Sequence, residues 1–163
     1  MRIVFTFLFL FLTWGAMAQR YWIGTVPGVW NTTLNWSATS GGPGGASVPG
    51  PGDQVIFNGA GGSNGNCNLD IAPTVAGITI NGYTGTIDLL GFNLTTTGTN
   101  SFTTGTVANT GAAASIILNT IATTTFSGTL LNANVSGSTG RLFFNGSTFN
   151  GTVNVSKTNG SND

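Results

Sequence analysis

The sequence predicts an all-β protein, a right-handed parallel β-helix or a close β-solenoid relative, and three observations predict it. Short apolar runs alternate at period two, the spacing of a strand with one buried face. Gly, Asn, Thr and Ser fill the intervals, and these are residues of strands and tight turns. A corner-like motif then recurs at a coil-like period. Tyr83-Thr84-Gly85-Thr86-Ile87 returns as Phe126-Ser127-Gly128-Thr129-Leu130 and as Phe149-Asn150-Gly151-Thr152-Val153. Phe102-Thr103-Thr104-Gly105-Thr106-Val107 is a version with one extra residue.

The first eighteen residues read as a secretory signal peptide. Arg2 supplies a positive start, Ile3 to Trp14 an apolar run, and Ala16-Met17-Ala18 a small-x-small cleavage site, leaving Gln19 as the new N-terminus. The apolar run is shorter than the roughly 20 residues of a membrane-spanning helix. No later stretch is apolar enough to span a bilayer, so no membrane insertion is expected after cleavage.

Residues 19–52 come next. Trp22, Trp30 and Trp36 cluster in their first part, and GGPGGASVPGPG over 41–52 is a bend that holds neither helix nor central strand. A stack of coils leaves its first coil with a raw edge. The Trp-rich segment stands where a cap is needed, and the alternative for the three tryptophans is a sugar-binding platform.

Residues 53–163 carry the coils. Ile78 with Ile80, Ile87 with Leu89, Ile116 with Leu118, Leu142 with Phe144 and Val153 with Val155 each share a strand face, and Leu131, Ala133 and Val135 make a longer stripe. Within the repeat, Tyr83, Phe102, Phe126 and Phe149 are expected to stack, at spacings of 19, 24 and 23 residues. Gly85, Gly105, Gly128 and Gly151 turn the corners. An antiparallel sandwich has no reason to repeat one corner motif in every coil. The last repeat stops before completion, which reads as a chain truncated from a longer protein.

Composition removes several function classes. The chain has four basic and four acidic residues, no His and a formal net charge of zero. Nucleic-acid binding needs clustered Lys and Arg and is not expected. Without His, neither a Ser–His nor a Cys–His nucleophile can be assembled, and one Cys with no His excludes an ordinary zinc site. Asp53, Asp70 and Asp88 recur at nearly one coil length and are the candidate calcium ligands if they stack in one row. Otherwise they are turn residues, and no cofactor is expected. A glycosidase would need two carboxylates about 5–10 Å apart, and basic partners for such a pair are scarce, so the chain reads as a non-enzyme. Thr95-Thr96-Thr97 and Thr123-Thr124-Thr125 raise an ice-binding reading but lack a strict Thr-x-Thr repeat. Cys67 reads as a buried small apolar side chain.

RYWIGTVPGVWNTTLNWS, followed by PGPGDQVIF and GITINGYTGTI, resembles the N-terminal module of large repetitive surface proteins of Bacteroidetes-type bacteria. The FNGTV coils are similar to the repeats that follow there, and to passenger repeats of autotransporter adhesins. The resemblance implies a parallel β-helix, export to the outer cell surface, and an adhesive role toward surface glycans or other cell-surface proteins. Such proteins commonly end in a type IX secretion sorting domain, which this sequence does not show. The expectation is therefore a secreted or cell-surface structural protein, a fragment of an adhesin. The alternatives are a carbohydrate-binding module using Trp22, Trp30 or Trp36 and, more remotely, a polysaccharide-active β-helix enzyme.

Overall fold

A computed structural model describes residues 17–111 and the strand segments 115–118, 124–126, 131–136, 141–144, 147–149 and 153–158. The apolar run of the expected signal peptide lies outside the described residues. The chain is all-β. Seventeen strands follow one another: β1 (Ala18–Trp22), β2 (Gly28–Val29), β3 (Trp36–Ser37), β4 (Asp53–Phe57), β5 (Cys67–Asn68), β6 (Thr74–Val75), β7 (Gly77–Ile80), β8 (Thr86–Asp88) and β9 (Leu94–Thr96). Then come β10 (Asn100–Phe102), β11 (Thr106–Asn109), β12 (Ser115–Leu118), β13 (Thr124–Phe126), β14 (Leu131–Ser136), β15 (Arg141–Phe144), β16 (Ser147–Phe149) and β17 (Val153–Thr158). Helix among the described residues is limited to two single 3-10 turns, Thr33–Asn35 and Ala60–Gly62.

The strands fall on three sheets, ordered β16-β13-β10-β7-β4-β1-β3, β17-β14-β11-β8-β5-β2 and β15-β12-β9-β6. From β4 onward each strand lies parallel to the strand three places earlier, except that β6 has no such neighbour. The pairing is in register, so like positions form columns. In the first sheet Phe57, Ile80, Phe102, Phe126 and Phe149 align. In the second, Gly28, Cys67, Ile87, Val107, Ala133 and Val155 align. In the third, Val75, Thr96, Leu118 and Phe144 align. Val55, Phe57, Ile78, Ile80, Ile87, Leu89 and Leu94 are fully buried. The pairs Ile78/Ile80 and Ile87/Leu89 therefore face the core as expected. The remaining alternating pairs fall on β12, β14, β15 and β17, whose side chains lie outside the described residues.

The repeat is real but its register differs from the expected one. Phe102, Phe126 and Phe149 fall in register with Ile80, not with Tyr83. The recurring corner is apolar–polar–Gly: Phe57-Asn58-Gly59, Ile80-Asn81-Gly82 and, with one insertion, Phe102-Thr103-Thr104-Gly105. Phe126 and Phe149 are followed in sequence by Ser127-Gly128 and Asn150-Gly151. Gly59, Gly82 and Gly105 have φ of 64°, 81° and 80°, a region open to Gly and strained for other residues. Moving the origin from Tyr83 to Ile80 turns the spacing of 19 into 22 and adds a preceding 23 from Phe57, so the coil length becomes nearly constant. Likewise Thr106-Val107 does pair with Thr86-Ile87, but Val153 pairs with Leu131 rather than Leu130.

Stacking also begins earlier than the expected boundary at residue 53. β1 pairs with β4 from Ala18↔Asp53 to Tyr21↔Ile56, and β2 pairs with β5. The Trp-rich segment thus supplies a full participant in two sheets. Only β3 departs, running antiparallel along the open edge of β1, with Trp22↔Trp36. The 41–52 bend is held against it, with Gly45 N–H donating to Thr33 O (3.0 Å) and Ala46 N–H to Trp36 O (3.1 Å). Ala46 and Val48 pack against the core.

Among the buried polar residues, Asn100 is held by the fullest network. It is fully buried as the first residue of β10. Its Oδ1 accepts from Ile78 N–H (3.0 Å), and its Nδ2 donates to Thr96 Oγ1 (2.8 Å) and Gly98 O (3.2 Å). A buried amide is tolerated only when so paired. Replacing Asn100 with Ala should lower stability by about 1–3 kcal/mol by orphaning the Ile78 N–H. Phe57→Ala, which removes a ring packed among four other aromatics, should lower it by about 3–5 kcal/mol. Urea midpoints measure both, and an N100A loss equal to or greater than that of F57A would contradict this order.

Candidate functional site

The three tryptophans converge inside the first coils. Trp22, Trp30 and Trp36 are 1%, 0% and 0% exposed. Trp36 packs edge-on against Trp22 (centroids 5.3 Å) and Trp30 (4.9 Å). Phe57 touches all three, and Tyr83 lies 5.1 Å from Phe57. Edge-to-face contact of this kind adds to the burial energy of each ring. A sugar platform requires an open ring face, and these rings have none: they form an aromatic core, against the alternative platform reading and in the place expected of a cap.

Polar ends of the rings are tied to the backbone. Trp22 Nε1 donates to Gly65 O (2.9 Å), and the Tyr83 hydroxyl donates to the same oxygen (2.8 Å). Trp36 Nε1 donates to Trp30 O (2.7 Å). Trp30 Nε1 is buried without a hydrogen-bond partner. Tyr83 is therefore a corner brace and not a member of the stacked aromatic column.

The three aspartates do not form a row. Asp53 opens β4 in the first sheet, where Oδ2 accepts from Gly50 N–H (2.8 Å) and Oδ1 lies 3.9 Å from Arg20 Nη2. Asp88 ends β8 in the second sheet, aligned with Asn68 rather than Asp70. Its Oδ1 accepts from Thr110 N–H (3.0 Å) and Leu90 N–H (3.1 Å), and its Oδ2 from the Thr110 hydroxyl (2.6 Å). Asp70 lies in the bend after β5, and its Oδ1 accepts from Asn31 N–H (2.9 Å). Among the described residues no group of three His, Cys, Asp or Glu side chains could hold a metal ion. Asp70 and Asp88 instead staple successive passes of the chain, accepting from backbone N–H groups 39 and 22 residues away.

Asparagines do similar work that the sequence did not single out. Asn64 Oδ1 accepts from Thr84 N–H (2.9 Å) and Asn66 Oδ1 from Thr86 N–H (3.0 Å). With so many Asn residues in turns, composition alone does not separate those that bridge coils. The register would have, since both pairs are separated by 20 residues.

Arg20 is committed as well. Its Nε and Nη2 donate to Ser47, and its Nη1 donates to Gln19 O (3.0 Å). Arg141 opens β15 and Lys157 lies in β17. Cys67 is buried and free, in the apolar column between Gly28 and Ile87. Burial pushes its thiol well above the ordinary value, and the nearby Asp70 carboxylate adds to the shift. Burial also pushes the Tyr83 phenol up, reinforced by Cys67.

The outward positions of the sheets carry a different chemistry. In the first sheet Tyr21, Ile56, Thr79 and Ser101 align, with Thr125 and Thr148 at the same register position. In the second, Thr86 and Thr106 align, followed in register by Asn132 and Asn154. Apart from the apolar Ile56, these columns consist of hydroxyl- and amide-bearing residues and include no charged one. Thr95-Thr96-Thr97 does not form such a row, because Thr96 is buried while Thr97 is exposed.

Three outcomes follow. In a chain of residues 19–163, whose tryptophans are Trp22, Trp30 and Trp36, emission should resist acrylamide quenching and stay unchanged when neutral sugars are added; a sugar-dependent shift would restore the platform. A chelator should leave the melting temperature unmoved. Because folding raises the pKa values of Cys67 and Tyr83, their contribution is whole below the ordinary thiol and phenol values, about 8.5 and 10. It is lost as pH climbs through those values toward the raised folded ones. Tyr83→Phe should flatten the fall of stability in the alkaline range, and an unchanged slope would contradict the burial argument.

No protein-family model matches this chain, no curated protein matches it, and no solved structure matches its fold.

Proposed function

We propose that the chain is a right-handed parallel β-solenoid and acts as a stiff, non-catalytic scaffold of an exported adhesin. The observation that carries this reading is the three sets of in-register parallel columns, visited in rotation along the chain. Parallel crossovers are right-handed in nearly all proteins, which supports the hand. A coil of about 23 residues cannot bury its own apolar face, so each coil depends on its neighbours and the stack lengthens as a rod. Within this reading, β3 and the 3-10 turn before it cap the first coil.

The setting rests on the sequence: a signal-type N-terminus and a likeness to Bacteroidetes surface proteins support an exported mature chain. Among the described residues no helix is long and apolar enough to cross a membrane. Adhesion would run through the outward hydroxyl and amide columns, with surface glycans or other cell-surface proteins as partners. Three of the carboxylates serve as acceptors for backbone N–H groups, in three separate settings, which weighs against an acid–base pair for sugar cleavage.

Adhesion of this type is weak per contact and gains by number. Beads carrying many copies of residues 19–163 should be retained on a polysaccharide-coated surface about 10²–10⁴-fold more strongly than the free chain. Equal retention of the free chain would indicate a single tight site, and release of reducing sugar would indicate an enzyme. Either result defeats the scaffold reading.

A further inference from the structure

We propose that Asn81-Gly82 is a site of spontaneous covalent modification, in which the folded chain selects this one pair for succinimide formation over Asn58-Gly59 and Asn64-Gly65. All three are Asn-Gly steps, where the missing Gly side chain leaves the amide nitrogen open to attack the preceding carboxamide; Asn145-Gly146, Asn150-Gly151 and Asn159-Gly160 are further such steps, outside the described residues. In an unfolded chain they are chemically alike. The fold makes them different.

At Asn64-Gly65 both reacting groups are engaged. Gly65 is buried, and its N–H donates to Gly24 O (2.9 Å). Asn64 Oδ1 accepts from Thr84 N–H in the next coil (2.9 Å). At Asn58-Gly59 the carboxamide is held at both ends: Nδ2 donates to Ser40 Oγ (2.7 Å) and Oδ1 accepts from Ala60 N–H (3.1 Å). Rotating either Cγ onto the following nitrogen breaks bonds that join separate parts of the stack.

Asn81-Gly82 sits at the equivalent corner one coil after Asn58-Gly59, but on the exposed surface. Both of its residues are exposed. The Asn81 carboxamide is held by one hydroxyl, Thr103 Oγ1 to Oδ1 (3.1 Å), and that hydroxyl also donates to Ile80 O (2.8 Å). Thr103 therefore keeps a partner when Asn81 turns away. Gly82 has φ of 81° and lies past the end of β7, so its peptide can reorient without unpairing the sheet.

The chemistry balances with water alone. The Gly82 amide nitrogen attacks Asn81 Cγ. The Cγ–N bond to Gly82 forms, the Cγ–Nδ2 bond breaks, and the Gly82 N–H proton leaves with Nδ2 as ammonia. Water then opens the ring at either carbonyl, leaving an aspartate or an isoaspartate at position 81. The product places a carboxylate in an uncharged corner column. The isoaspartate form also adds a methylene to the main chain at that corner.

The test is incubation of the whole chain in oxygen-18 water at mildly alkaline pH, followed by peptide mapping. A parallel sample is held unfolded in urea. The folded chain should take up label at position 81 several-fold faster than at 58 or 64, and the unfolded chain should label the three alike. The proposal is overturned if the folded chain labels 58 or 64 first, labels all three equally, or stays unlabelled at 81 while the unfolded chain reacts. Asn81→Gln, which retains an amide but disfavours the five-membered ring, should abolish the fast uptake while leaving the circular dichroism spectrum intact. Fast uptake that survives in this variant would equally overturn the assignment.

Discussion

The carbonyl of Gly65 is the point on which the first coils depend. It accepts from Trp22 of the first coil and from Tyr83 two corners later, so a single backbone oxygen ties three successive passes of the chain. Both donors belong to rings buried in an apolar setting, where an unmade hydrogen bond costs about 1–3 kcal/mol. The carbonyl can serve both because it has two lone pairs. Gly65 must also be glycine, since a Cβ there would collide with the backbone of Val26. Its own N–H closes the corner onto Gly24 O. The aromatic core, the corner and the start of the stack therefore share one constraint.

Much of the all-β character was legible because period-two alternation is a direct record of burial. Ile78, Ile80, Ile87 and Leu89 read as core residues and are core residues. The corner was half legible. Tyr83-Thr84-Gly85-Thr86-Ile87 imitates Phe149-Asn150-Gly151-Thr152-Val153 closely enough to capture the eye. The column, however, requires only a large apolar side chain at the last inward position of the strand, and Ile80 satisfies that as well as Phe. The shared feature of the corner is its glycine at positive φ, Gly59, Gly82 and Gly105, and not an aromatic. Tyr83 belongs to the corner itself, where its hydroxyl needs a carbonyl and its ring needs Phe57.

The site residues were less legible, for a related reason. Tryptophan and aspartate each have two common uses, and only the third dimension separates them. Trp22, Trp30 and Trp36 are spaced so that β1, the turn beyond β2, and β3 bring them together beneath the chain rather than on it. Asp53, Asp70 and Asp88 recur at nearly one coil length, yet Asp70 is two residues out of register with Asp88 and Asp53 lies on another sheet. A near-constant spacing in sequence is not a shared column when corner lengths vary by a residue or two. What these carboxylates share is the satisfaction of backbone donors where the ladder ends, a task that Asn64, Asn66 and Asn100 perform without charge.

The end of the stack explains why the tryptophans are concentrated there. Strands such as β7 and β8 have parallel, in-register neighbours on both sides, so Ile, Val and Phe fill the interior there. Among the described residues, β1 and β2 have a parallel neighbour on one side only. β3 and the bend after it are irregular and cannot reproduce the missing coil, so volume must come from side chains. An indole supplies the largest apolar surface of any residue, with a donor that can reach a nearby carbonyl. Two of the three donors do so, while Trp30 Nε1 does not. That orphan costs about 1–3 kcal/mol, comparable with the loss from leaving a ring-sized void, which is about 3–5 kcal/mol when a buried ring is removed. Filling the volume wins by a small margin, and the unpartnered indole is the trace of that balance. The edge of β2 is closed by the same economy of means: Asn35 Nδ2 donates to Val29 O (2.9 Å), blocking one acceptor that an incoming strand would use.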